Sequence, residues 1–147
     1  MPNAKPDPTA VNPLLDDGFP IRFSDLRPEH VEPGLRVALV RAEEAFSAIR
    51  DAEPPYRWDD LLGAMDRVET RLSRVVNTVS HLNNVRQDPE LRAAWSRILP
   101  ELAAFEARWK SDPAVYAVLS AYAAGDDAAV LPPERARFLA LTLDAMR

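Results

Sequence analysis

The 147 residues suffice for one domain, and a chain of that length can bury roughly 70% of its unfolded surface in a core of its own. With 47% hydrophobic residues, 28% charged residues and only four glycines, the composition excludes a wholly disordered chain and favours helix. The net charge is −5 with acidic and basic residues interleaved, which excludes nucleic acid as an expected partner, and the absence of cysteine excludes disulfides, thiolate zinc sites and cysteine nucleophiles.

No apolar run reaches the ~18 to 20 residues of a bilayer span, and the N-terminus lacks the basic-then-apolar pattern of a secretory signal. A cytoplasmic protein without a membrane partner is the expectation, and a reducing compartment suits a cysteine-free chain.

Met1 to Asn12, "MPNAKPDPTAVN", carries three prolines and few large apolar side chains, so residues 1–12 read as a flexible Pro-rich arm. From Pro13 to Arg27, "PLLDDGFPIRFSDLR", apolar residues recur irregularly around Gly18 and Pro20. That pattern predicts an extended segment pinned to a surface by Leu14, Leu15, Phe19, Ile21 and Phe23.

Helical periodicity then takes over. A first helix starts near Pro28 or Pro33 and runs to about Ala52, with Leu35, Ala38, Leu39, Ala42, Phe46 and Ile49 on one stripe. Pro54-Pro55 stops it. A second helix opens at Asp59-Asp60, placed to cap the first free amides, and carries Leu61, Met65, Val68, Leu72, Val75, Val79 and Leu82 at spacings of 4, 3, 4, 3, 4, 3. A mean repeat near 3.5 specifies close packing along another helix. Asp88-Pro89 caps a third, with Leu91, Trp95, Ile98, Leu102, Phe105 and Trp109 at spacings of 4, 3, 4, 3, 4 and a kink expected at Pro100. The second and third helices are expected to pair as a hairpin. Asp112-Pro113 starts a short helix through Val115, Val118, Leu119 and Tyr122, which Gly125 is placed to end in the left-handed conformation. A last helix follows Pro132-Pro133 and keeps its pattern to Arg147. The fold class is all-α: antiparallel helical hairpins forming a bundle, with an extended N-terminal segment.

Chemistry is thinly represented. The histidines, His30 and His81, stand 51 positions apart on different predicted helices, and no His-x-x-x-His pair exists for a catalytic zinc. His30 suits the first turn of its helix, with its ring on neighbouring backbone. In "SHLNNV", Val79 and Leu82 continue the apolar seam, whereas Ser80, Asn83 and Asn84 lie largely off it, so that polar side chains stand beside an intact apolar stripe. The stretch reads either as a helix C-terminus, where His helps exposed carbonyls and Asn accepts the left-handed position, or as a polar lining toward a cavity or neighbouring domain. Catalysis by His81 is the weakest of these readings. There is no Gly-x-Ser-x-Gly elbow beside Ser80, and Gly18, Gly34, Gly63 and Gly125 are isolated, so a phosphate-binding loop is not formed. Glu43-Glu44, Asp59-Asp60 and Asp126-Asp127 are adjacent pairs that diverge on a helix, read as solvated surface or caps. Trp95, Phe105 and Trp109 have seam spacing and read as core.

Taken in order, "NPLL" (12–15), "PEHVEP" (28–33), Tyr56 and Trp58 in "PPYRWDDL", "VSHLNNV" (79–85), and "DPELRAAW" (88–95) followed by "LP" resemble the N-terminal region of the oligopeptidase A group within the thimet oligopeptidase family of zinc metallopeptidases. The resemblance spans residues 12–147. It implies a two-lobed, mostly helical enzyme whose deep channel admits short peptides, with a His-Glu-x-x-His zinc motif far downstream. That motif is missing from this sequence, so the resemblance implies no catalytic residue, no metal ligand and no cofactor in this chain, zinc belonging to the full-length enzyme alone. It also implies that the helix begun near Pro133 continues, so that residues 13–147 would be cut within their last helix. The chain by itself is then expected to be inactive, its role being to shape the substrate channel. His81, Asn83 and Asn84 are the candidate channel or inter-lobe contacts, the remaining catalytic lobe is the expected partner, and the isolated piece is expected to dimerise through uncovered apolar faces. The alternative is a free-standing helical interaction module that holds a partner helix in its groove. A third reading is an autonomous metal hydrolase built on His30 and His81.

Overall fold

The computed structural model describes residues 12–147, and among these the regular structure is helical with no strand. The arm expected over residues 1–12 falls outside the described residues except at its last position. There Asn12 is anchored: its side chain accepts the Leu14 amide at 2.9 Å and donates to the His30 carbonyl at 2.8 Å.

Helix α1 spans Pro28–Arg50, α2 Leu62–Val85, α3 Pro89–Lys110, α4 Pro113–Ala123, α5 Asp126–Ala129 and α6 Pro133–Ala145, with short 3-10 turns at Pro13–Leu15, Phe23–Asp25 and Trp58–Asp60. The Asp-Pro caps form as their chemistry requires. Asp88 accepts the amides of Glu90 and Leu91, and Asp112 those of Ala114 and Val115. His30 completes the first turn of α1, its Nδ1 accepting the Arg27 amide at 3.1 Å. Three local expectations are corrected. Asp59 and Asp60 sit in the 3-10 turn ahead of α2, whose N-cap is Leu61, so they do not cap it. Pro33 lies inside α1 rather than in its first turn. Gly125 has φ −94° and precedes α5, while α4 closes through Ala124, so no left-handed residue is used.

The all-α bundle forms as expected, with α2 and α3 consecutive and antiparallel, and the structure adds a pairing the seams did not predict. α1 is the centre of the bundle: it packs along both α2 and α3, which touch each other much less. Ion pairs Glu32–Arg97, Arg36–Glu101 and Glu43–Arg108 join α1 to α3 at a constant offset of 65 residues, so the two helices run parallel and in register. α2 runs antiparallel to both. One cluster joins the start of α1 (Val31, Leu35) to the end of α2 (Val79, Leu82) and the start of α3 (Leu91, Ile98). The other joins the end of α1 (Phe46, Ile49) to the start of α2 (Leu62, Met65), the end of α3 (Phe105) and α4 (Val115, Leu119, Tyr122). Exposed ion pairs stabilise little; they mark this register, and the buried clusters supply the stability.

The N-terminal segment finds its bed within the chain. Leu14 and Leu26 are buried in the first cluster, and Gly34 supplies the space, because a Cβ there would stand 2.9 Å from both Asn12 Nδ2 and Leu14 Cδ2. A mid-helix glycine costs about 1 kcal/mol relative to alanine, a cost offset here by the close approach it permits. Phe19, expected as an anchor, is instead 92% exposed.

Candidate functional site

The "SHLNNV" stretch forms the last turns of α2, which ends at Val85, and the Arg86 amide closes it on the Leu82 carbonyl. Successive helical residues turn by about 100°, so His81 and Asn83 leave the helix on nearly opposite sides. His81 is exposed and faces the N-terminal segment, its ring centroid 5.7 Å from that of Phe23 at 56°. Asn83 is half-buried, and its Oδ1 is enclosed without a hydrogen-bond partner among the described residues. Asn84 is exposed. The three candidates therefore share a helix end but not a common site. No three His, Asp or Glu side chains among the described residues converge to hold a metal ion.

Arginines, which the sequence reading passed over, organise this region. Arg86 donates to the carbonyls of Phe23 (2.9 Å) and Leu26 (3.0 Å), and Arg74 to those of Asp16 and Gly18, so α2 and the residue that caps its end strap the N-terminal segment down. The Gly18 amide, followed by the Arg22 guanidinium, holds the Asp16 carboxyl below the usual carboxylate range. The legible signal was the run Arg67, Arg71, Arg74, each one position before a seam residue, which draws a basic stripe beside the apolar one.

Beside that stripe, α1 and α2 enclose an open groove of about 450 Å³. It is lined by Ala38, Ala42, Ala45 and Ala64, by Leu15, Val68, Leu72 and Val75, and by the charged side chains of Asp17, Arg41, Arg67 and Arg71. Arg67 is fixed by a 2.8 Å bond to the Asp59 carbonyl. At the far end of the bundle, Phe138 and Leu141 of α6 remain 41% and 55% exposed, three positions apart on one face.

Residues 31–146 match the family model described as "Neurolysin/Thimet oligopeptidase, N-terminal domain". The chain is 37% identical over 95 residues to the oligopeptidase A of Escherichia coli and 35% identical over 95 residues to that of Salmonella typhimurium, in each case over 65% of this chain and 14% of the relative. It is 31% identical over 137 residues to a probable cytosolic oligopeptidase A of Arabidopsis thaliana, over 92% of this chain and 19% of the relative. The matched region thus spans less than a fifth of each of these relatives' lengths. An all-α bundle matched over four-fifths of its residues to that one domain leaves a single assignment: the chain belongs to the thimet oligopeptidase family and corresponds to its N-terminal domain.

Proposed function

We propose that this chain is the N-terminal helical piece of an oligopeptidase A-like zinc endopeptidase acting on short peptides in the cytoplasm, and that its share of the work is to wall the substrate channel. The observation that carries the reading is the N-terminal-domain match over residues 31–146 in a sequence without a His-Glu-x-x-His motif. The chemistry of its own residues agrees. With two histidines in the sequence and no group of three His, Asp or Glu side chains gathered among the described residues, those residues offer no set of the three protein ligands a catalytic zinc commonly takes, and on this reading water activation falls to the rest of the enzyme. The exposed Phe138–Leu141 face and the enclosed Asn83 Oδ1 support contacts with a further lobe, alongside His81 and Asn84.

The purified chain should leave a quenched fluorescent oligopeptide intact with or without added zinc, and the gene read past codon 147 should continue in frame to His-Glu-x-x-His. Hydrolysis that disappears on replacing His30 or His81 would refute the proposal. A native stop after Arg147 would favour the second reading, a free-standing interaction module. The two closed hydrophobic clusters, which suit a self-supporting bundle, lend that reading support.

A further inference from the structure

We infer that the groove between α1 and α2 is a docking site for an acidic amphipathic helix, an inference that rests on the groove and not on the peptidase reading. Four of its lining residues are alanines, Ala38, Ala42 and Ala45 of α1 and Ala64 of α2, beside Leu15, Val68, Leu72 and Val75. Small side chains there leave room for a third helix to approach near the lower end of the ~8 to 10 Å interaxial range.

The charge of the walls selects the occupant. In a chain of net charge −5, this groove presents three guanidinium groups against a single carboxylate, Asp17. Elsewhere on α1 and α3, Arg36, Arg50, Arg97 and Arg108 each pair with a carboxylate, Arg92 being the exception. Arg41 and Arg71 form no ion pair among the described residues, although both stand beside apolar surface. Arg67 and Arg71 are one helical turn apart, the spacing of carboxylates at positions i and i+4 on a facing helix, and Arg41 meets the opposite flank. Arg67 is held ready by the Asp59 carbonyl, and its path crosses Gly63, where a Cβ would lie 3.3 Å from Nη1. Val37, one turn before Arg41 and also exposed, extends the apolar surface toward solvent.

Other occupants fit less well. A two-fold copy of the same face would set these arginines against themselves. A nucleic acid would find no aromatic side chain in the lining on which to stack a base.

The test uses a fluorescein-labelled synthetic helix of about five turns. It carries alanine and leucine on one face and glutamate on both flanks, and a control peptide has lysine in place of glutamate. Titrated into the full chain and followed by anisotropy, the glutamate peptide should bind and weaken as salt is added, and the lysine peptide should not bind. Arg41→Glu with Arg71→Glu should weaken the glutamate peptide about ten-fold or more and confer binding of the lysine peptide, a gain that misfolding does not produce. Ala45→Gln should block either peptide while the melting temperature of the chain holds. The inference is overturned if both peptides bind alike, if neither binds at millimolar concentration, or if Ala45→Gln leaves binding intact. A dimer that the double charge reversal dissolves, or an oligonucleotide that displaces the glutamate peptide, also overturns it.

Discussion

Phe46 tests whether α1 is the centre of the bundle. Its side chain is 2% exposed, stacks on Trp109 at 4.0 Å and 28°, and meets Phe105 at 5.8 Å and 50°, so one α1 residue holds both aromatic residues at the end of α3. Phe46→Ala removes the ring and leaves a cavity that the helices fill only in part, at a cost of ~3 to 5 kcal/mol. Against a total stability of ~5 to 15 kcal/mol this is a large fraction. Phe46→Leu keeps most of the volume and loses the ring pairing, so ~1 to 1.5 kcal/mol is expected. Leu99→Ala, on the 42% exposed side of α3, is the control and should stay within ~0.5 kcal/mol of the parent. Urea denaturation followed by helical circular dichroism, compared at constant m, measures all three. Should Phe46→Ala cost no more than Leu99→Ala, the central place given to α1 is wrong.

Asp112 caps α4 and accepts from Arg50 of α1 at 2.8 Å, with its side chain only 14% exposed. Burial would raise its pKa, but the Arg50 guanidinium and the amides of Val115 and Ala114 outweigh that, and the carboxyl sits below its ordinary value. A depressed carboxyl contributes stability that is fully present above the unfolded pKa near ~3.9 and is lost as pH falls through the folded value. Asp112→Ala should therefore cost about 1 kcal/mol through the cap alone, and Asp112→Asn, which still caps, should cost less and flatten the acid limb of stability against pH. Burial, reinforced by donation of its hydroxyl to Asp127 at 2.7 Å, pushes the Tyr122 phenol well above its ordinary value. Its contribution is full below an unfolded pKa of about 10 and lost as pH rises through the folded value, so in a spectrophotometric titration one tyrosine should ionise only with unfolding. Tyr122→Phe should abolish that late step and cost ~1 kcal/mol.

Much of the local structure was legible because it depends on neighbours in sequence. Asp88-Pro89 and Asp112-Pro113 start α3 and α4 wherever those helices lie, since a carboxylate reaches amides two and three residues on whatever surrounds it. The seams of α1, α2 and α3 were equally plain, and the lack of a His-Glu-x-x-His motif was a property of the sequence alone. The seams did not say which helix covers which. Those of α2 and α3 share one 3.5-residue repeat, so periodicity gives a pairing of the two the same standing as a pairing of each with α1.

Tertiary structure made that choice by burying the seams of α2 and α3 against α1 in two clusters, and the pairs Glu32–Arg97, Arg36–Glu101 and Glu43–Arg108, at a constant offset of 65, mark the register that results. It also decided the fate of "SHLNNV", which helical rotation divides between two faces, and it placed Asn12 and Leu14 in the gap left by Gly34. The arginine groove exists only because α1 and α2 lie side by side, which brings Arg41 together with Arg67 and Arg71. A sequence records what each residue offers to its neighbours along the chain. Which offers are taken up across space depends on shape and charge at contacts that no local pattern contains.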